Sequence, residues 1–337
     1  MANLKIAVDV MGGDSAPAEI VKGALEAAHQ FNQEIILVGD EAIIRQEMAG
    51  CPDKLVSVVH ASEVISMSES PSVAVRRKKG SSIVRAVHLL KEGTTAALVS
   101  AGNTGAVMAA GVLFLGLIVG IDRPALATTL PSKGGWTLLL DVGANVDCKT
   151  YHLLQFAIMG YLYAQEILGI HNPRVGLLSI GEEETKGNEL TLAAYPLLAN
   201  AGINFIGNVE GRDIYQDTVN VVVCDGFVGN IVLKSVEGMS AAFMQMMKEE
   251  TTKKWFARAG FAMTMFALRD FRRRLDYAEY GGAPLLGVNG VIIVCHGSST
   301  SRAIKNAIHL AGESVQKDLV SAIKNSIQKI QGKGRTT

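Results

Sequence analysis

The 337-residue sequence is short of charge, with only 19% Asp, Glu, Lys and Arg, and its 32 basic and 32 acidic residues cancel. No global field therefore favours nucleic acid as a partner, and electrostatic recognition has to be local. Four cysteines, Cys51, Cys148, Cys224 and Cys295, lie far apart without a CxxC spacing. They read as reduced, buried thiols of a cytosolic protein rather than a disulfide framework. The seven histidines form no HExxH or comparable metal-ligand spacing. The longest unbroken apolar run, Ala106 to Ile121, has 16 residues; a spanning helix needs roughly 20. It contains Gly111, Gly116 and Gly120 and reads as a buried helix packed closely through its glycines. The sequence runs directly into LKIAVDV, so no secretory leader is expected. There is no GxxxxGK[ST], no GxGxxG after the first apolar run and no GxSxG. These absences argue against a Walker-type ATPase, an ordinary dinucleotide fold and a serine acyl-enzyme.

What is present is apolar and alternating. Hydrophobic residues make up 48%, enough that a partner or a membrane is expected to cover some of the surface. Short β-branched runs predict strands at Ile6–Val10, Ile35–Val38, Leu55–Val59, Ala97–Ser100, Ala125–Leu130, Leu138–Val142, Val175–Ile180, Val219–Cys224 and Val291–Cys295. Helical patterns lie between many of them, including Ala18–Gln30, Ser82–Lys91, Tyr151–Leu168 and Glu189–Leu198. This alternation predicts an α/β fold, a three-layer α/β/α sandwich with a mostly parallel sheet. Ligands in such sheets sit at the carboxyl ends of strands. Six polar loops follow apolar strands: MGGDSAP, SAGNTG, DVGANVD, GEEETKGNE, CDGFVGN and HGSSTS. They are expected to converge on one cleft.

The SAGNTG loop carries the sharpest signal. Ser100, Gly102, Asn103, Thr104 and Gly105 join a strand to a helix start, where free N–H groups and the helix dipole favour an anion. The plainer alternative is a glycine-rich turn that binds nothing. Lys186 and Asn230 offer a cation and a neutral donor able to hold a phosphate or an oxyanion. Alternatively Lys186 balances Glu182, Glu183 and Glu184 at the surface, and Asn230 is an N-cap. Asp14 can orient a cation, accept a proton or close a turn. Arg76, with Arg77, Lys78, Lys79 and Ser81, can grip phosphate or an acidic partner, or form a solvated face. His296 is a general base or a hydrogen-bonded strand-end histidine; Ser298 donates to phosphate or caps the last helix.

The region from Ile231 to Tyr280 breaks the alternation, with a helical pattern and no strand. Val236, Met239, Phe243 and Met247 share one helical face; Glu237, Gln245, Lys248 and Glu249 share the other. After it, KKWFARAGFAMTMFALRDFRRR holds seven basic residues and one acidic residue among Trp255, Phe256, Phe261, Met263, Phe266 and further apolar side chains. It reads as a hairpin at 236–280 inserted in a single domain spanning 1–337. That hairpin makes a dimer contact or a peripheral contact with a membrane, to which basic and aromatic residues are suited.

Taken together, AVDVMGGDSAP, VRRKKGSS, ALVSAGNTGAVMAAG, GIDRPALATTLP, LLLDVGANVDCK, RVGLLSIGEEETKGNE, DGFVGNIVLKSVEG and YGGAPLLGVNG with HGSS resemble the PlsX family of phosphate acyltransferases. The resemblance runs in one order from Ile6 to Ser299. It implies a fold like isocitrate and isopropylmalate dehydrogenases and phosphotransacetylase. It implies conversion of acyl-acyl carrier protein and inorganic phosphate to acyl-phosphate, which an acyl-phosphate:glycerol-3-phosphate acyltransferase consumes in phospholipid synthesis. It also implies a homodimer, no metal or nucleotide cofactor, and reversible attachment to the inner face of the cytoplasmic membrane. Lys186, of the KGNE motif, and Asn230, of the GN motif, are the residues it implies are needed for activity. Leu117 and Val119 depart from the family, where basic residues are expected. An acyl-CoA phosphotransacetylase, a non-catalytic membrane scaffold and, least well supported, a dehydrogenase are the alternatives.

Overall fold

A computed structural model describes residues 4–48, 53–252 and 281–334. The strands are β1 (Ile6–Asp9), β2 (Ile35–Gly39), β3 (Val56–His60), β4 (Ala97–Ser100), β5 (Ala125–Ser132), β6 (Gly135–Leu140), β7 (Val175–Leu178), β8 (Phe205–Val209), β9 (Val221–Val223), β10 (Ala283–Leu286) and β11 (Val291–Val294). They form one sheet in the order β3-β2-β1-β4-β11-β10-β5-β6-β9-β7-β8. Seven junctions are parallel and three, β11/β10, β10/β5 and β5/β6, are antiparallel. The central strands are apolar on consecutive residues, as burial on both faces requires.

Helices cover both faces. On one lie α1 (Ala18–Phe31), α2 (Glu41–Glu47), α6 (Thr150–Glu166), α7 (Glu189–Ala199), α9 (Ser301–Gln316) and α10 (Leu319–Gly334). On the other lie α3 (Pro71–Arg77), α4 (Ser82–Lys91), α5 (Thr104–Ala110) and the start of α8 (Gly226–Thr252). The core on this second face is continuous, from Ala7 and Val38 through Leu126 and Leu139 to Val209. These are the three layers that the alternation of strands and helices predicts.

The sequence reading differs from the structure in three places. Strands β8 and β10 were not expected. The first carries Gly207 and Asn208 and the second contains Pro284, residues that dilute a strand pattern. The run Ala106–Ile121 is not one buried helix. Helix α5 passes into a π-helical turn, Gly111–Leu115, and stops at Gly116, whose φ of 76° suits glycine. Leu113 on that turn is exposed, Leu117 pairs with Val288 and packs on the core, and Val119 projects into solvent. Helix α8 starts at Gly226 and runs 27 residues. Residues 253–280, with Trp255, Phe256, Phe261, Met263 and Phe266, lie outside the described residues.

Candidate active site

The candidates fall into two groups of adjacent strand ends rather than one. Asp14, Ser100–Gly105, His296 and Ser298 follow β1, β4 and β11, which are neighbours. Asn230 and Lys186 follow β9 and β7, also neighbours, with β6 on the far side of β9. The three antiparallel junctions between the groups reverse the strand direction. Among the described residues no hydrogen bond or ion pair joins either Lys186 or Asn230 to the SAGNTG loop.

In the first group the loop is built from within. Ser100 Oγ donates to Asp9 Oδ2 (2.7 Å) and accepts from the Gly102 amide (3.1 Å). Asp9 ends β1, fully buried, and also accepts from the Met11 amide (3.2 Å). Desolvation pushes its carboxyl above the ordinary carboxylate range, opposed by hydrogen bonds from Ser82, Ser100 and Met11. Asn103 is buried as the N-cap of α5: Oδ1 accepts from Ala106 N (3.0 Å), and Nδ2 donates to the carbonyls of Ser66, Met67 and Glu69. The side chains of Ser100 and Asn103 therefore shape the loop. The backbone N–H groups of Thr104 and Gly105, and the Thr104 hydroxyl, have no acceptor or donor partner among the described residues. They are the groups left to meet an anion.

Around the loop, the Asp14 amide donates to Gly297 O (2.7 Å), tying the first and last strand-end loops together. The Asp14 carboxylate is exposed. His296 Nδ1 lies 2.8 Å from Ser298 Oγ and accepts from the Ser298 amide (3.2 Å). Ser298 thus bonds the histidine and does not cap α9, which begins after Thr300. The basic run divides. Lys78 is held by Glu69 (2.7 Å) and Val64 O (2.7 Å), whereas Arg76 is exposed and without a partner among the described residues. Ser81 is fully buried before α4, and its hydroxyl has no partner among the described residues.

In the second group, the Lys186 backbone is clamped. Its N–H donates to Glu183 O (3.0 Å), and its carbonyl accepts from Ser179 Oγ (3.1 Å) and Asn208 Nδ2 (3.3 Å). Asn188 then caps α7 through Thr191 N (2.9 Å). The Lys186 ammonium is exposed and has no partner among the described residues. Among the described residues none of the neighbouring glutamates forms an ion pair with it: Glu182 pairs with Arg212 (3.3 Å), Glu184 accepts from Tyr195 (3.0 Å), and the Glu183 carboxylate lies nearby over Gly181. Asn230 is not an N-cap either. Helix α8 begins one turn earlier, where Asp225 Oδ1 accepts from Val228 N (2.9 Å). Asn230 is exposed, its amide without a partner among the described residues, with Gly143 beneath it.

Two residues that the sequence reading includes in its strands and motifs but does not single out underlie these groups, Asp9 and Asp141. Each is a buried carboxylate at the end of an apolar strand, and that position was the available signal. Burial raises the Asp141 carboxyl as well, opposed by hydrogen bonds from Ala144, Asn145 and Leu126. No cluster of three or more histidine, cysteine or carboxylate ligands occurs among the described residues.

Residues 4–322 match the family described as "Fatty acid synthesis protein". A phosphate acyltransferase of Pelotomaculum thermopropionicum is 62% identical over 98% of this chain and 97% of its own. Another, of Desulforamulus reducens, is 54% identical over 98% and 99%. Among solved structures, a phosphotransacetylase from Streptococcus pyogenes superposes with TM-score 0.60 at 16% identity, over 93% of this chain and 94% of that one. The EutD phosphotransacetylase from Staphylococcus aureus gives 0.58 at 14%, with the same coverage. At such identities that likeness is one of fold. The chain belongs to the PlsX family of fatty acid synthesis proteins and is an acyltransferase of the phosphate acyltransferase class.

Proposed function

We propose that the enzyme phosphorolyses the thioester of a long-chain acyl-acyl carrier protein. A phosphate oxygen attacks the acyl carbonyl, the new C–O bond forms, the C–S bond breaks, and the carrier thiol leaves with a proton. Phosphate is already anionic near neutral pH, so positioning the two reactants is the main task. The Thr104 and Gly105 amides receive phosphate, and Thr104 Oγ1, Asp14, His296 and Ser298 on the neighbouring strand-end loops, with Ser81 and Arg76, are the further candidates for holding it. Lys186 and Asn230 stabilise the tetrahedral oxyanion or orient the phosphate. The observation that carries this reading is a pair of donors without a partner among the described residues, the Lys186 ammonium on the loop after β7 and the Asn230 amide early in α8, which follows the neighbouring β9.

The acidic carrier docks on exposed basic residues such as Arg76 and Arg77, where charge complementarity speeds encounter. The acyl-phosphate passes to an acyl-phosphate:glycerol-3-phosphate acyltransferase. Beyond Val236, α8 exposes Met239, Phe243 and Met246, and a second copy of the chain or the cytoplasmic membrane covers this stripe. No described helix is long and apolar enough to cross a membrane; the contact proposed is peripheral.

The test is phosphate-dependent acyl-phosphate formation, trapped with hydroxylamine, for wild type, Lys186→Ala and Asn230→Ala. Each variant is expected to lose roughly 10²–10³ in kcat with its circular dichroism intact. Full activity in both would overturn the roles assigned. Product from short acyl-CoA but not from the carrier thioester would make the enzyme a phosphotransacetylase.

A further inference from the structure

Asp141 sits directly after β6, buried, with five donors on one carboxylate. Oδ1 accepts from the amides of Leu126 (3.0 Å), Ala144 (3.0 Å) and Gly143 (3.3 Å). Oδ2 accepts from the Asn145 amide (2.7 Å) and from Asn145 Nδ2 (2.8 Å). Asn145 Nδ2 also donates to Pro124 O (2.7 Å). The loop 143–145 is thus wound around a carboxylate and fastened to the segment before β5. Its amides are all engaged by Asp141, so it is no anion site itself.

The first turn of α8 rests on this loop. The Gly226 amide donates to Asn145 O (2.8 Å). A side chain at Gly226 would come within 2.6 Å of Asn145 O, and one at Gly229 would overlap Asp141 O. Only glycine lets the helix approach so closely. Gly143, at φ +132°, lies under the Asn230 side chain: a Cβ there would stand 3.7 Å from the Asn230 Cβ, Cγ and Oδ1. The position of the Asn230 amide is therefore set by the height and tilt of a platform that Asp141 and Asn145 hold.

We propose that Asp141 and Asn145 are positioning residues that fix the Asn230 amide for the reaction, an inference that rests on the role assigned above to Asn230. They touch no reacting atom. Their effect passes through the loop 143–145 and the first turn of α8. The physical reason is the steepness of donor geometry: a misplacement of about 1 Å can cost 10²-fold in rate. A carboxylate saturated by five donors, two of them from one asparagine, leaves the loop little freedom to shift.

The test compares Asn145→Ala and Asp141→Asn in the wild-type and Asn230→Ala backgrounds, using the hydroxylamine trap with acyl-carrier thioester and phosphate. Asn145→Ala removes two hydrogen bonds and leaves the Asp141 carboxylate three backbone donors from other residues and the Asn145 amide, so it stays informative if Asp141→Asn does not fold. In the wild-type background, kcat should fall about 30- to 100-fold, within the range expected for misplacement, with both KM values changed by less than about threefold. With Asn230 already alanine, the second substitution should change the residual kcat by less than about threefold, since coupled residues are non-additive. A folded Asn145→Ala enzyme with wild-type kcat would overturn the proposal. So would an equal loss in both backgrounds, which would make the effect independent of Asn230. Full kcat in Asn230→Ala alone would instead remove the premise and be read as failure of that residue's assigned role.

Discussion

Asn103 fastens the SAGNTG loop in two directions, and three substitutions separate them. Asn103→Ala removes the acceptor for Ala106 N, an N-cap loss of about 1 kcal/mol. It also removes the donors to Ser66 O, Met67 O and Glu69 O. Two amide hydrogens can serve only two of these carbonyls at a time, so this part costs about 2 kcal/mol at roughly 1 kcal/mol per bond. The total is roughly 3 kcal/mol, or about 4 °C in melting temperature for a chain of this length. Asn103→Ser retains a hydroxyl acceptor for the cap and loses the clip, so it should fall about 1 kcal/mol short of the alanine cost. Asn103→Asp keeps the cap but turns a carboxylate toward three carbonyls, and should be at least as damaging as alanine. Urea unfolding followed by circular dichroism measures all three. If alanine lies within 0.5 kcal/mol of wild type, or if serine and alanine coincide, the two-way fastening is wrong. The same variants should raise the KM for phosphate, because the 66–69 segment no longer holds the loop.

Burial raises the Cys148 thiol from an ordinary 9.0 to about 11, with Asp141 and Asp225 contributing. At pH 8 its thiolate fraction should be about a hundredth of that of an ordinary thiol, so iodoacetamide labelling read by peptide mass spectrometry should be correspondingly slow; labelling at the rate of a free thiol would contradict this. Burial also raises Asp9 above 3.8, and the sign follows: its stabilising contribution is complete below about pH 4 and is lost as pH rises through the folded-state value. Asp9→Asn should therefore flatten the decline in unfolding free energy as pH rises above about 4, and parallel curves for the two proteins would refute the assignment. Replacing Met239 and Phe243 together by glutamate should yield monomer in sedimentation velocity if a second copy covers that stripe. An unchanged sedimentation coefficient would leave the membrane as its partner.

The strands that could be read from the sequence are those buried on both faces. Runs such as IAVD, ALVS and VIIV are apolar on consecutive residues because helices lie above and below them. Strand β10 escaped because its order comes from its two antiparallel neighbours and not from its own composition, which includes a proline. The run from Ala106 to Ile121 was misread because hydrophobicity reports burial but not chain direction; Gly116 turns the chain while the residues stay apolar. At the site, the strand-end loops were legible from glycine, serine and asparagine after apolar runs. Their division into two groups was not, since it depends on sheet order. Nor did composition reveal that Asn103 and Ser100 turn inward. Both types equally suit a ligand, and only the partners, Ala106 and Asp9, decide.

Helix α8 has its first turn on the platform under Asn230 and its Val232, Leu233 and Val236 against the sheet. From Asn230 to Thr252 the helix extends about 33 Å at 1.5 Å per residue. Those three side chains form a fulcrum near the Asn230 end, and Met239, Phe243 and Met246, exposed among the described residues, lie on the longer arm. The arm is several times longer than the distance from fulcrum to Asn230, so motion at the far end arrives at the amide reduced. If Asn230 has the role proposed for it, its position is thereby insulated from whatever surface engages the arm, and a body that binds there can rock on it without displacing the amide.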